Sequence, residues 1–130
     1  MDDLRDHWAF GNHRDEQVQM LRALRRWRKV DPESRQVLVV GGDVHIGCRT
    51  DIRHKGDSIC QQLISSPIGR KPLNWIAFQA LKGFLEAEES LGNRYTFEHS
   101  DYSRKRNYGL AWARGLNSSS PHLFSSINEL

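Results

Sequence analysis

The chain has 130 residues, 38% of them hydrophobic and 27% charged. That is enough apolar material for a core and too much for a wholly disordered chain. Nineteen basic against 16 acidic residues leave a net charge of only +3, so no strong electrostatic excess by itself names a nucleic acid as partner. The longest apolar runs, 37–40 and 75–78, fall far short of the roughly 20 residues a membrane helix needs. The opening residues, Met1-Asp-Asp-Leu-Arg-Asp6, lack the apolar stretch of a signal peptide. The expectation is a chain without a membrane partner whose compartment stays open. Two cysteines, Cys48 and Cys60, are too few for a disulfide framework.

In chain order, residues 1–13 read as polar and irregular, anchored by Trp8 and Phe10. Asn12 is placed to cap a helix, with Asp15 and Glu16 in its first turn, where carboxylates suit the helix dipole. From Arg14 to about Arg28, Met20, Leu21, Leu24 and Trp27 recur at helical spacing and predict one buried face. Asp31-Pro32 stops the pattern. The same stretch carries Arg22, Arg25, Arg26, Arg28 and Lys29, a cluster that reads first as a solvated helix face.

Residues 36–40 form a continuous apolar and β-branched run closed by Gly41-Gly42. Without alternation it predicts a central strand buried on both faces, inside a layered α/β (α+β) domain. Cys48 to His54 and Ser58 to Ser65 predict a hairpin about Lys55-Gly56. Its tight-turn register sets His54 opposite Asp57, Ile52 opposite Ile59 and Cys48 opposite Leu63. On that register Cys60 lies beside Asp51 and faces away from Cys48, so two free thiols are expected. A helix follows from about Leu73 to Glu89, with Trp75, Ile76, Phe78, Leu81, Phe84 and Leu85 on its apolar side and Gly92-Asn93 ending it. Tyr95 to Glu98 and Asn107 to Ala113 predict a last strand pair joined by the basic segment Arg104-Lys105-Arg106. From 115 to 130 the chain holds five serines, two asparagines and no Lys or Arg, which predicts a flexible tail.

The segment Val37-Leu-Val-Val-Gly-Gly-Asp-Val-His45 carries the most chemistry. A strand ends in two glycines, and Asp43 and His45 emerge two residues apart at the carboxyl end, where α/β folds bind ligands. In extended backbone an i, i+2 pair projects to one side. One carboxylate and one imidazole so placed suit Zn, Fe or Mn. The alternative is a structural turn, in which Asp43 caps backbone amides and His45 is a packed imidazole.

Three blocks in order resemble the C-terminal part of PhoD-like metallophosphatases, within the calcineurin-like metallophosphoesterase superfamily. They are Asp2-Asp-Leu-Arg-Asp-His-Trp8 followed by His13, Val39-Val-Gly-Gly-Asp-Val-His-Ile-Gly47, and Gln62-Leu-Ile-Ser-Ser-Pro-Ile68. Arg106-Asn-Tyr-Gly-Leu-Ala111 resembles the family's closing strand. The likeness spans about residues 2–114, and Gly-Asp-Val-His is its most specific part.

The resemblance implies a partial metallophosphoesterase-type sheet layer with two main helices packed outside, over 1–114. It implies that Asp43 and His45 are ligands in a two-metal site holding Fe, Zn, Mn or Ca. Such a site hydrolyses phosphate mono- or diesters by orienting the ester and activating water. It implies a weaker role for His13 at the phosphate or leaving group. His54 and His99 match no motif and are read as structural or surface residues. Gly11-Asn12-His13 has no apolar strand before it, so no ligand role is carried to Asn12. The family's other ligands come from upstream motifs, so an upstream half or a partner chain is expected to complete the site, and the chain alone is expected to be weak or inactive. The sheet face meant for a second sheet is expected to be apolar and open. Two alternatives stand beside this reading. One is a non-catalytic remnant or interaction domain of the same fold. The other, least favoured, is a basic module that binds nucleic acid or phosphoinositide through Arg22 to Lys29.

Overall fold

The computed structural model describes residues 13–42, 46–66, 69, 71–87, 90–91, 94–115 and 122–130. Helix α1 covers Arg14–Lys29. Its first turn holds Asp15 and Glu16 and its last turn Arg26, Arg28 and Lys29, so both ends complement the helix dipole. His13 occupies the N-cap position without a side-chain cap bond, while Asn12, expected there, lies outside the described residues. Past the helix, the Ser34 backbone N–H donates to Asp31 Oδ1 at 3.2 Å and closes a turn.

Strand β1 is Leu38–Gly42, β2 is Gly47–His54 and β3 is Asp57–Ser65. Helix α2 covers Trp75–Ala87, opened by the Asn74 side chain, whose Oδ1 accepts the Ala77 N–H at 2.8 Å. β4 is Ser90–Leu91, β5 is Tyr95–Ser103, β6 is Asn107–Arg114 and β7 is His122–Glu129. A five-stranded sheet runs β1-β3-β2-β5-β4, and β6 and β7 form a separate two-stranded sheet. β1 is parallel to β3, and the other pairings are antiparallel. The class is α+β.

The hairpin forms about Lys55-Gly56, both at positive φ (54° and 90°), the pattern of a two-residue turn that matches strand twist. His54 pairs with Asp57 as expected. A bulge after Ile52 then shifts the register, pairing Ile52 with Cys60 and Cys48 with Ile64 instead of Ile59 and Leu63.

Alternate residues of β2 set the layering. Cys48, Thr50, Ile52 and His54 are all buried. At the hairpin end Ile52 packs with Ile59, Cys60, Tyr95 and Leu21 of α1, flanked by Val18, Leu24, Val37 and Phe97. At the other end Cys48 packs with Ile46 and Phe78 of α2, flanked by Ile64, Leu73, Leu81 and Tyr102. Both helices thus cover one face of the five-stranded sheet. The thiols are free, for a reason other than the one expected. Cys60 sits beside Ile52, four residues along β2 from Cys48, which separates the two by about 13 Å, beyond the ~7 Å reach of a disulfide.

The structure corrects several expectations. β1 lies at the sheet edge instead of the centre, with Val40 66% exposed. β5 and β6 are not partners: β5 pairs with β2 and β4, and β6 with β7. The stretch expected as a tail from 115 contains β7. Trp27 is 47% exposed, beneath the Arg35 guanidinium at 5.0 Å, and Trp75 and Ile76 are exposed. The side chains of Phe84 and Leu85 lie outside the described part.

The second face of the sheet is neither bare nor apolar. β6 and β7 cross part of it, with Gly109 seated on buried Leu63 and the Arg49 guanidinium donating to the Ser125 carbonyl at 3.3 Å. The rest of that face is charged. Arg53 Nε lies 2.8 Å from Asp51 and 3.1 Å from Glu98, and the Ser58 hydroxyl donates to Asp51 at 2.6 Å. Apolar exposure falls on the β6–β7 pair itself, at Tyr108, Leu110, Trp112 and Phe124, with the Trp112 and Phe124 rings stacked at 5.6 Å. No helix among the described residues is long and apolar enough to cross a membrane.

Candidate functional site

Blocks far apart in sequence meet at one corner. The parallel pairing of β1 with β3 sets Gly42 beside Ser65, so the two strands end together. Ile46, 1% exposed, precedes Gly47, which opens β2. Gly47 backs onto the side chain of Asn107, the first residue of β6. Asn107 is itself 1% exposed. Its Oδ1 accepts the Ser66 N–H at 2.9 Å, and its Nδ2 donates to Ser66 Oγ at 2.7 Å and to the Lys105 carbonyl at 2.8 Å. The Ser66 hydroxyl donates to the same carbonyl at 3.2 Å. A buried amide side chain thereby satisfies polar groups of two chain segments that no regular strand pairing reaches.

The corner has little room. A Cβ on Gly47 would stand 2.6–2.8 Å from Oδ1, Nδ2 and Cγ of Asn107. Glycine is required there by contact, since that close approach leaves no space for a methyl group. A further tie lies behind it. Ser103 Oγ donates to Glu129 at 2.9 Å and the Lys105 ammonium meets the same carboxylate at 2.6 Å, which holds the Glu129 carboxyl below its usual value through those two bonds.

Asp43 and His45, the two expected ligands, lie outside the described residues, between the end of β1 and Ile46. His13 is described: its Nδ1 is 3.3 Å from Glu16 Oε2, one turn along α1. Among the described residues there is no group of three or more His, Cys, Asp or Glu side chains that could hold a metal ion. By donor chemistry Asp43 and His45 fit two positions of a metal site, one anionic oxygen and one imidazole.

Asn107 is the residue that sequence reasoning missed. It stood in a quoted block, yet nothing in its spacing marked it as a bridge to Ser66. His54 and Cys60 are buried under α1, away from this corner. Burial first, then the charges of Arg25, Lys55 and Arg94, lower the affinity of His54 for a proton. Burial and the nearby Asp51 push the Cys60 thiol up to about 11.

Comparison with family models, with curated proteins and with solved structures gives no match for this chain.

Proposed function

We propose that the chain is the C-terminal segment of a PhoD-like metal-dependent phosphatase, in which Asp43 and His45 supply two ligands of the metal site. The observation that supports this reading is the convergence at one corner of three separately quoted blocks. Gly41-Gly42 ends β1 beside Ser65-Ser66, and Asn107 of the Asn-Tyr-Gly block bonds Ser66 and backs Gly47. Gly42 and Ile46, the described residues on either side of Asp43 and His45 in sequence, both lie by this corner. A bound metal pair would supply charge stabilisation and an activated water for phosphoester hydrolysis. Substrate class, mono- or diester, follows from the resemblance alone.

Within this reading the chain's own residues have distinct tasks. The Gly47–Asn107–Ser66 contact fixes the start of β2, two residues after His45 in sequence. Asp43 offers the anionic oxygen and His45 the neutral imidazole. His13 is a lesser candidate at the phosphate, since its imidazole is engaged by Glu16.

The test is elemental analysis of the purified, untagged chain beside Asp43→Asn/His45→Ala. Fe, Zn, Mn or Ca bound by the chain and lost in the variant supports the reading. Equal metal in both, or none in either, removes a metal site held by Asp43 and His45 in this chain alone.

A further inference from the structure

A cavity of about 500 Å³ opens between α1 and the turn end of the five-stranded sheet. Arg22, Arg25 and Arg26 reach it from α1, Arg94 from the residue before β5, and His54 from the end of β2. We propose that this cavity is a binding site for a small phosphorylated molecule carrying at least two negative charges. The proposal is independent of the phosphatase reading. His54 stands seven residues along β2 from Gly47, which puts the cavity about 23 Å from Gly47.

Four guanidinium groups line the cavity and none of its lining residues is acidic. Elsewhere in the molecule several arginines find partners. Arg49 pairs with Asp101, Arg53 with Asp51 and Glu98, Arg35 lies over Trp27, and Arg104 bonds the Leu73 carbonyl. Among the described residues no carboxylate pairs with Arg22, Arg25, Arg26 or Arg94. Arg22 sits three and four residues from Arg25 and Arg26, so the three share one helix face, a repulsive arrangement in the absence of an anion. The fold then adds a fourth cation from a segment about 70 residues away in sequence. A bound polyanion would relieve this repulsion, and planar guanidiniums are suited to bidentate phosphate contacts.

The buried imidazole of His54 faces the same charges. It is 6% exposed, and its burial first, then the positive charges of Arg25, Lys55 and Arg94, oppose its protonation. The cavity also argues for size. Its volume falls within the ~300–1,000 Å³ of small-molecule sites. Its only aromatic residue besides His54, Tyr95, is 4% exposed and packs edge-on against His54 at 5.0 Å. It therefore offers no open ring for the base stacking that single-stranded nucleic acids use.

Inorganic pyrophosphate is the probe, titrated into the whole chain at low ionic strength and followed by calorimetry and by the His54 ring resonances. Saturable 1:1 binding is expected, with the His54 pKa rising as the anion offsets the arginines. Arg25→Gln/Arg94→Gln should weaken binding at least tenfold without lowering the melting temperature. Lys71→Gln/Arg114→Gln removes the same charge from exposed positions elsewhere and should weaken it less than twofold. Equal losses in the two variants, or no saturation by pyrophosphate, would overturn the proposal. So would a ten-residue single-stranded oligonucleotide that binds more tightly than pyrophosphate and is lost in the first variant, since the surface would then serve nucleic acid.

Discussion

A double-mutant cycle on Gly47 and Asn107 probes the corner on which the functional reading rests. A methyl group on Gly47 would sit 2.6–2.8 Å from the Asn107 side-chain amide. That amide is held by three hydrogen bonds of 2.7–2.9 Å and cannot swing aside without breaking them. Gly47→Ala should therefore cost about 1–3 kcal/mol, the usual range for overpacking. Asn107→Ala leaves the buried Ser66 N–H without its acceptor and the Lys105 carbonyl short of a donor. At roughly 1–3 kcal/mol for each orphaned buried group, partly offset by the bond Ser66 Oγ keeps to Lys105, the cost is about 2–4 kcal/mol. In the double variant the methyl enters space the amide has vacated. The double variant should be little less stable than Asn107→Ala alone, a coupling of about 1–2 kcal/mol. Urea unfolding followed by tryptophan fluorescence measures all four corners, and unchanged slopes confirm that the native and denatured states stay comparable. Additive costs, with coupling below about 0.5 kcal/mol, would refute the contact and with it the convergence of the blocks.

Three further outcomes are expected. Intact mass under non-reducing conditions should show two free thiols, and iodoacetamide at pH 8 should leave Cys60 unmodified in the folded chain while labelling it in urea, since its pKa of about 11 keeps it protonated. Because that folded value exceeds the ordinary 9.0, the stability associated with Cys60 should be intact below pH 9 and fall between pH 9 and 11, and Cys60→Ala should flatten that decline. For His54 the sign reverses. Its folded pKa lies below 6.5, so the unfolded chain takes up the proton first and stability drops as pH falls below about 6.5, a slope that His54→Gln should reduce in acid-range melting curves.

Local signals in the sequence located the elements, and long-range pairing decided where they went. The spacing of Leu21 and Leu24 placed α1 nearly to the residue, and Lys55-Gly56 placed the hairpin. The bulge after Ile52 was not visible, since it buries both Ile59 and Cys60 at adjacent positions, which a strict period of two forbids. The apolar run at 36–40 suggested a strand covered on both faces, but β1 has a neighbour on one side only and leaves Val40 exposed. β7 hid behind its serines. Its partners are set by register with β6, Trp112 against Phe124 and Leu110 against Ser126, and composition cannot report that. Of the candidate site, the strand end and its glycines were legible, whereas Asn107 was not, because its partners Ser66 and Gly47 lie 41 and 60 residues away. The arginines of α1 were visible as a cluster, but the cavity they form with His54 and Arg94 depended on the fold.

The most direct test of the ligand assignment is a Mn²⁺ titration followed by amide line broadening, which detects even a site with few ligands. The signals of Gly41, Gly42, Ile46, Gly47 and Ser66 should broaden first, and Asp43→Asn/His45→Ala should abolish the effect while the spectrum stays folded. Broadening that begins elsewhere, or that survives in the variant, would contradict a metal site at this strand end.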